Sequence, residues 1–135
     1  MRVAILTISD RSYHGERADK GGPAVAEAVS RLLAGAVVVE QTILPDERDD
    51  IAWNLKRLAD TGVADLVLTT GGTGLSPRDV TPQATLDVLD YEVPGLAEVM
   101  REATRASVPT AILSRQVAAA ARRESSVAAA SPRKT

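Results

Sequence analysis

Apolar residues along the chain fall into two kinds of stretch that alternate with each other. One kind is a continuous or nearly continuous run rich in β-branched and aliphatic residues, as in Val3–Ile8, Val37–Leu44 and Asp65–Thr70. Such runs are typical of buried strands. Ala111–Leu113 is a shorter run that predicts a last strand.

The stretches between these runs carry apolar residues at helical spacing instead. Pro23 is a suitable first residue for a helix with a stripe through Val25 and Val29, and Gly35 ends it. Further helices are predicted from Asp46 to about Asp60, from Thr81 through Leu89, and from Pro94 onward. Strands that alternate with helices indicate βαβ units and a largely parallel sheet.

The C-terminal stretch differs from everything before it. From Ala118 it reads AAAARRESSVAAASPRKT, in which Val127 is the single large aliphatic residue. A segment that buries so little apolar surface gains too little free energy to offset the conformational entropy that it loses when it becomes ordered. We therefore divide the chain into a folded domain over residues 1–117 and a mobile, Ala-rich tail over residues 118–135.

Composition narrows the function classes. The chain has 135 residues, 44% hydrophobic and 25% charged, with a net charge of −2 and no cysteine. These values fit one globular domain. The charge argues against nucleic acid as the main partner, and the lack of cysteine excludes disulfides and thiol nucleophiles. No apolar run approaches the roughly 20 residues of a membrane span, so we expect a cytoplasmic protein.

The most informative segment is a glycine-rich loop after the third predicted strand. Gly71-Gly72-Thr73-Gly74 is followed by Asp79 and by Thr81-Pro82, a good helix start. Glycines allow a backbone to approach a ligand closely, and a helix start attracts anions. The segment matches neither the P-loop motif nor the dinucleotide-binding fingerprint. The alternative to a ligand-binding role is a tight turn between a strand and a helix.

Asp79 carries an implication of its own. A carboxylate beside a bound phosphate is repulsive unless a cation bridges the two, and Mg²⁺ does this with one or two carboxylates. If the loop binds phosphate, Asp79 therefore predicts a metal. The structural alternative is that Asp79 caps the following helix.

Other candidates follow the remaining predicted strands. In open parallel sheets, ligands bind beyond the carboxyl ends of the strands. Ser9-Asp10, Asp46 and Ser114-Arg115 occupy such positions, together with the glycine loop. Two of these residues have structural alternatives: Asp46 can instead cap a helix, and Arg115 can be a surface residue rather than a phosphate clamp.

Two further residues are weaker candidates. His14, the one histidine in the sequence, lies in a polar loop, where solvent exposure without a role is the favoured interpretation. Trp53 falls within a predicted helix, where packing or an oligomer contact is favoured over a ligand platform.

With these motifs the chain resembles the molybdopterin adenylyltransferases, the MogA/MoaB-like proteins of molybdenum cofactor biosynthesis. The highly specific match is TTGGTGLSPRDVTPQAT, residues 69–85. Supporting matches, in the same order along the chain, are ILTISD, DKGGP, LPDE, PG and PTAILSR, which together span residues 3 to about 117.

The resemblance implies a three-layer αβα fold, a trimer, and an enzyme that transfers AMP from Mg-ATP to the molybdopterin phosphate with release of pyrophosphate. It implies a catalytic and metal-binding role for Asp46 and Asp79. It also implies that the product passes to a molybdenum insertase. The binding residues that it implies for pterin and nucleotide are Ser9, Asp10, Gly71, Gly72, Thr73, Gly74, Ser114 and Arg115.

One part of the family pattern is not recognisable. After Ser114-Arg115 the family continues with an apolar strand, an Asn-x-Pro-Gly loop and a final helix, so we expect the C-terminal part of the family fold to be missing. Two alternatives therefore stay open. Beside the adenylyltransferase, these are a non-catalytic molybdopterin-binding or scaffold member of the family, and an unrelated nucleotide-binding α/β module.

Overall fold

The computed structural model of the protein describes residues 1–121 and 127–131. Strands and helices alternate over most of this length, as the sequence pattern predicts. In chain order the elements are β1 (Arg2–Ile8), α1 (Asp10–Tyr13), α2 (Gly21–Leu32), β2 (Val37–Leu44), α3 (Arg48–Thr61), β3 (Leu66–Thr70), α4 (Thr81–Val88), β4 (Tyr91–Glu92), α5 (Pro94–Arg105), a 3₁₀ helix (Pro109–Leu113), β5 (Ala118–Ala120) and β6 (Val127–Ser131).

The strands form one sheet in the order β2-β1-β3-β6-β5-β4. β1 runs parallel to β2 and β3, and β3 runs parallel to β6. β5 is antiparallel to both β6 and β4. The sheet is therefore mostly parallel, with an antiparallel edge. In its parallel part the carboxyl ends of β1, β2 and β3 meet on one side.

Both faces of the sheet are covered. Alternate residues of β1 enter two separate cores, because successive side chains of a strand point to opposite faces. Leu6 and Ile8 pack with Leu55 and Ala84 beneath α3 and α4, whereas Ile5 packs with Val29 of α2. This arrangement confirms the three-layer αβα prediction.

The prediction of a last strand at Ala111–Leu113 is wrong. Pro109–Leu113 is a 3₁₀ helix, not a strand. Pro109 occupies its first turn, where a missing N–H costs nothing, and Ile112 and Leu113 remain exposed. Three apolar residues are too few to distinguish a strand from one helical turn.

The tail prediction also fails for the described part of residues 118–135. Ala118–Ala120 form β5 and are buried, and Val127–Ser131 form β6 between β3 and β5. The chain thus supplies two strands after Ser114-Arg115, where we expected a strand to be missing. Sheet pairing satisfies backbone groups whatever the side chain, so an alanine-rich segment can still form strands. The rest of the predicted tail, residues 122–126 and 132–135, lies outside the described residues.

Candidate functional site

The glycine loop folds back on the start of α4. Gly71 and Gly72 have φ of 102° and 68°, a region that L-residues with side chains rarely adopt. The buried Thr81 donates from Oγ1 to the Gly71 carbonyl (2.9 Å) and from its N–H to the Gly72 carbonyl (3.1 Å). Thr81 is the first helical residue rather than the predicted cap. Its hydroxyl fixes the loop instead.

Asp46 and Asp10 hold the ends of β2 and β1 together. The Asp10 N–H donates to Asp46 Oδ2, and the Asp46 N–H donates to Asp10 Oδ1, both at 2.9 Å. Asp46 is 8% exposed and is not the cap of α3, which begins at Arg48 after Glu47. Its other carboxylate oxygen lies 3.1 Å from the position that a Cβ on Gly72 would take. Asp46 is therefore held directly against the glycine loop.

Asp79 lies against the other end of the same loop. Its Oδ2 accepts from the Ser76 N–H (3.0 Å) and is 2.8 Å from the position of a Cβ on Gly74. The carboxylate thus closes the turn from Ser76 to Asp79 and does not cap α4. Asp46 thus lies against Gly72 and Asp79 against Gly74, so both carboxylates lie next to the glycine loop that follows β3.

Ser114 and Arg115 reach the loop from the 3₁₀ helix. Arg115 donates from its N–H to the Thr73 carbonyl (2.8 Å), from Nε to the Gly74 carbonyl (2.9 Å) and from Nη2 to the Asp79 carbonyl (2.6 Å). Ser114 Oγ lies 3.3 Å from Oγ1 of the buried Thr73. Through these three bonds Arg115 holds the backbone of the glycine loop. The sequence alone had left two interpretations of Arg115 open, a phosphate clamp and a surface residue.

Ser9 is buried at the base of the site. Its hydroxyl accepts from the Ser12 N–H (3.3 Å) and from Arg17 Nη2 (3.4 Å), so it caps α1. Its own N–H donates to the Leu44 carbonyl (2.9 Å). Ser9 therefore links the first two strand ends, beside Asp10.

Arg78 is the first of two residues that sequence reasoning missed. Its Nε and Nη2 donate to Asp10 Oδ2 and Oδ1 at 3.1 and 2.9 Å, and Nη2 also lies 3.0 Å from Glu47 Oε1. These bonds lower the pKa of Asp10 against the opposing effect of burial, and they raise the pKa of Arg78. The one available signal was its place in the motif, between Pro77 and Asp79.

A second missed residue, Asp19, anchors the loop before α2. Its Oδ2 accepts from Thr7 Oγ1 (2.9 Å), and its Oδ1 accepts from the Gly22 N–H (3.1 Å). A Cβ on Gly22 would lie 2.5 Å from Asp19 Oδ2, which explains the small residue there. The motif DKGGP therefore has a structural role at the start of α2.

The two weaker candidates lie at the surface. His14 is exposed, and its ring contacts Tyr13 edge-on at 5.2 Å. Trp53 is 64% exposed, with the Arg57 guanidinium 5.7 Å from its ring centroid. Within residues 1–121 and 127–131, no three His, Cys, Asp or Glu side chains converge as a metal site. None of the helices described there is long and apolar enough to cross a membrane.

Comparison with known proteins agrees with this arrangement. Residues 4–132 match the MoCF_biosynth family model, described as "Probable molybdopterin binding domain". The chain belongs to the MoCF_biosynth family. The match covers the whole site, from β1 to beyond β6.

The chain is similar in sequence to molybdopterin adenylyltransferases of two bacteria. It is 48% identical over 117 residues to the molybdopterin adenylyltransferase of Escherichia coli K12, covering 87% of this chain and 60% of that protein. It is 44% identical to the Haemophilus influenzae molybdopterin adenylyltransferase, covering 87% of this chain and 59% of that protein. The chain thus spans about three fifths of the length of these relatives.

Solved structures in the MoCF_biosynth family share the fold. The molybdopterin biosynthesis enzyme MoaB of Thermus thermophilus superposes with a TM-score of 0.86 at 44% identity, over 97% of this chain and 80% of that one. The tungsten cofactor synthesising protein MoaB of Pyrococcus furiosus gives 0.83 at 32% identity, over 97% and 81% of the two chains. The recognition made from the motifs is therefore confirmed.

Proposed function

We propose that the protein is a molybdopterin adenylyltransferase. A phosphate oxygen of molybdopterin attacks the α-phosphorus of ATP, the bond to the β-phosphate oxygen breaks, and pyrophosphate leaves. The observation that carries the proposal is that two carboxylates lie next to a glycine loop at a helix start, Asp46 against Gly72 and Asp79 against Gly74. The molybdopterin adenylyltransferases at 44–48% identity support it.

The residues present suit a divalent cation between protein and phosphates. Asp46 and Asp79 are oxygen ligands of the kind that Mg²⁺ prefers, and Mg²⁺ takes its remaining ligands from water and phosphate. When bound, the ion would neutralise the charge that develops on the transferring phosphoryl group. In the part of the chain that the structure describes, no group of three such ligands occurs. An ion shared with the phosphates therefore fits better than one held by the protein alone.

The chain's own groups would then position the two substrates. The nucleophile is already an anion, so no cysteine or histidine has to activate it, and catalysis consists of orientation and charge stabilisation. Gly71 to Gly74 would approach the phosphate or pterin closely, and the start of α4 favours negative charge. Ser114 would contact the pterin, while Arg115 holds the loop in shape. Ser9 and Asp10 would lie on the nucleotide side.

The direct test is turnover. Purified protein, molybdopterin and Mg-ATP should yield adenylylated molybdopterin and pyrophosphate, with product formation abolished by chelation of the metal. Binding of molybdopterin without turnover would instead establish the alternative, a non-catalytic binding or scaffold member. Failure to bind either substrate would contradict both.

We also propose that the protein assembles as a homo-oligomer, a trimer by resemblance, and hands its product to a molybdenum insertase. Apolar side chains in the first half of α5 and on the 3₁₀ helix support an interface, because large exposed apolar patches are usually covered by a partner. Leu96 is 46%, Val99 67%, Ile112 64% and Leu113 49% exposed. Light scattering after size exclusion should give three times the chain mass. Val99→Lys should reduce that mass, and a monomeric wild type would contradict the trimer.

A further inference from the structure

Arg78 connects three loops of the site. It lies in the segment between the glycine loop and α4, and its guanidinium reaches Asp10 after β1 and Glu47 after β2. The contact with Asp10 uses two nitrogen atoms and both carboxylate oxygens, which fixes the orientation of both planar groups. The contact with Glu47 uses one nitrogen and one oxygen. Arg78 therefore constrains Asp10 more tightly than Glu47.

Asp10 passes this constraint on to Asp46. Its Oδ1 accepts from Arg78 Nη2 and from the Asp46 N–H at once, both at 2.9 Å. Its own N–H donates to Asp46 Oδ2. A rotation of the Asp10 side chain would therefore remove an acceptor from the Asp46 backbone. Asp46 has little room to adjust, because its carboxylate lies between Asp10 and Gly72.

We propose that Arg78 is a positioning residue that fixes the catalytic Asp46 through Asp10. The inference rests on the function proposed above, because it presumes that the geometry of Asp46 limits the reaction. Arg78 itself touches no other site residue through its guanidinium among the contacts described.

Two other roles for Arg78 make different predictions. If Arg78 released its partners and bound a substrate phosphate directly, its loss would have the same effect in the wild type and in an Asp10→Asn background. If Arg78 were merely a structural brace, its loss would lower stability and leave kcat unchanged. Positioning predicts that the effect on kcat depends on Asp10 and is not explained by unfolding.

A double-mutant cycle separates these roles. Arg78→Gln should lower kcat by at least tenfold, with the KM for ATP within twofold and the melting temperature within a few degrees of wild type. In the Asp10→Asn background, the same change should alter kcat by less than twofold. Glu47→Gln is the matched control, since it removes the other ion pair of Arg78, and its effect on kcat should stay under twofold. Equal losses in both backgrounds, or equal losses for Arg78→Gln and Glu47→Gln, would overturn the proposal.

The conservative variant tests the geometry. Arg78→Lys keeps the charge but cannot make the two-point contact with Asp10. Its kcat should lie nearer to that of Arg78→Gln than to that of wild type. Full activity of Arg78→Lys would show that charge alone is needed, and the positioning role would be wrong.

A measurement without turnover keeps this inference separate from the proposed function. Exchange of the Asp46 amide hydrogen, followed by NMR, should be at least fivefold faster in Arg78→Gln and within twofold of wild type in Glu47→Gln. If the wild type shows no adenylyl transfer, the proposed function fails, and the exchange rates still decide whether Arg78 holds Asp46. Unchanged exchange in Arg78→Gln would refute that contact.

Discussion

Asp10 and Asp46 hold each other through a reciprocal pair of hydrogen bonds, in which the backbone N–H of each donates to the carboxylate of the other at 2.9 Å. The two residues follow neighbouring parallel strands, so the pair locks two loops at the carboxyl edge of the sheet. A carboxylate held in this way has little freedom to rearrange when a substrate arrives. Pre-organisation of this kind makes Asp46 a sensitive target for mutation.

The first prediction concerns the metal. ATP should bind at least tenfold more tightly with Mg²⁺ than without it, because triphosphate beside Asp46 and Asp79 would otherwise be a cluster of like charges. In the double variant Asp46→Asn with Asp79→Asn, the dependence on Mg²⁺ should fall below threefold. Calorimetric titration measures both. Asp49→Asn, an exposed carboxylate in the first turn of α3, is the control and should behave as wild type. Equal wild-type affinities with and without Mg²⁺ would contradict the bridging role.

The second prediction compares two residues of one turn. Asp79→Asn should lower kcat by at least a hundredfold, because the variant removes the charge that would face the metal. Ser76→Ala should change kcat less than twofold, since Ser76 contacts Asp79 through its backbone N–H. Steady-state kinetics at saturating Mg²⁺ decide the matter. Small and equal losses of kcat in the two variants would show that Asp79 does not bind the metal.

The third prediction concerns the backbone of the loop. Gly72→Ala places a Cβ on a residue with φ of 68°, where it would overlap Thr81 Oγ1 and approach Asp46. Left-handed backbone alone costs about 1–2 kcal/mol for a residue with a Cβ, so the melting temperature should fall by several degrees and activity should be lost. Gly95→Ala is the control, because nothing lies within 4 Å of a Cβ there and the site is the first turn of α5. It should leave stability equal or slightly higher. A Gly72→Ala variant as stable and active as Gly95→Ala would show that the loop tolerates a side chain.

The fourth prediction concerns stability at low pH. Arg2 lowers the pKa of Asp65 from 3.8 to about 2, through hydrogen bonds from its side chain and its N–H. Because the folded-state pKa is the lower one, the contribution is present above the unfolded value and is lost as pH falls toward 2. Asp65→Asn should therefore lower the melting temperature slightly at pH 6, and the difference from wild type should shrink between pH 4 and 2. Thermal melts at low salt measure it, and a difference that does not vary with pH would contradict the assignment.

The fifth prediction reverses the sequence-based expectation for the tail. Deletion of residues 127–135 removes β6 from between β3 and β5. The melting temperature should fall by more than about 5 °C, roughly 1 kcal/mol or more for a domain near this size. A chain that ends at Ser131 keeps every described strand and should melt near the wild-type temperature. A deletion variant as stable as wild type would restore the mobile-tail interpretation.

The sequence predicted the parts of the molecule that depend on local pattern. β1, β2 and β3 are rich in β-branched residues, so their ends and the side chains that follow could be placed at one edge. Arg78 could not, because its partner Asp10 lies 68 residues away and an arginine in a loop is usually solvated. Ala118–Ala120 could not either: alanine has little strand preference, and its burial in β5 depends on neighbouring strands that only the tertiary fold supplies.

The position of β6 has a consequence for how the chain folds during synthesis. The ribosome delivers β1, β2 and β3 early, but the strand that lies beside β3 comes from residues 127–131. Until those residues emerge, β3 presents an open edge of unpaired backbone groups, the kind of surface on which other chains pair. The sheet closes around a long-range contact that forms late, which favours slow folding over a fast local nucleus. A nascent chain of this protein is thus most exposed to aggregation just before residues 127–131 emerge.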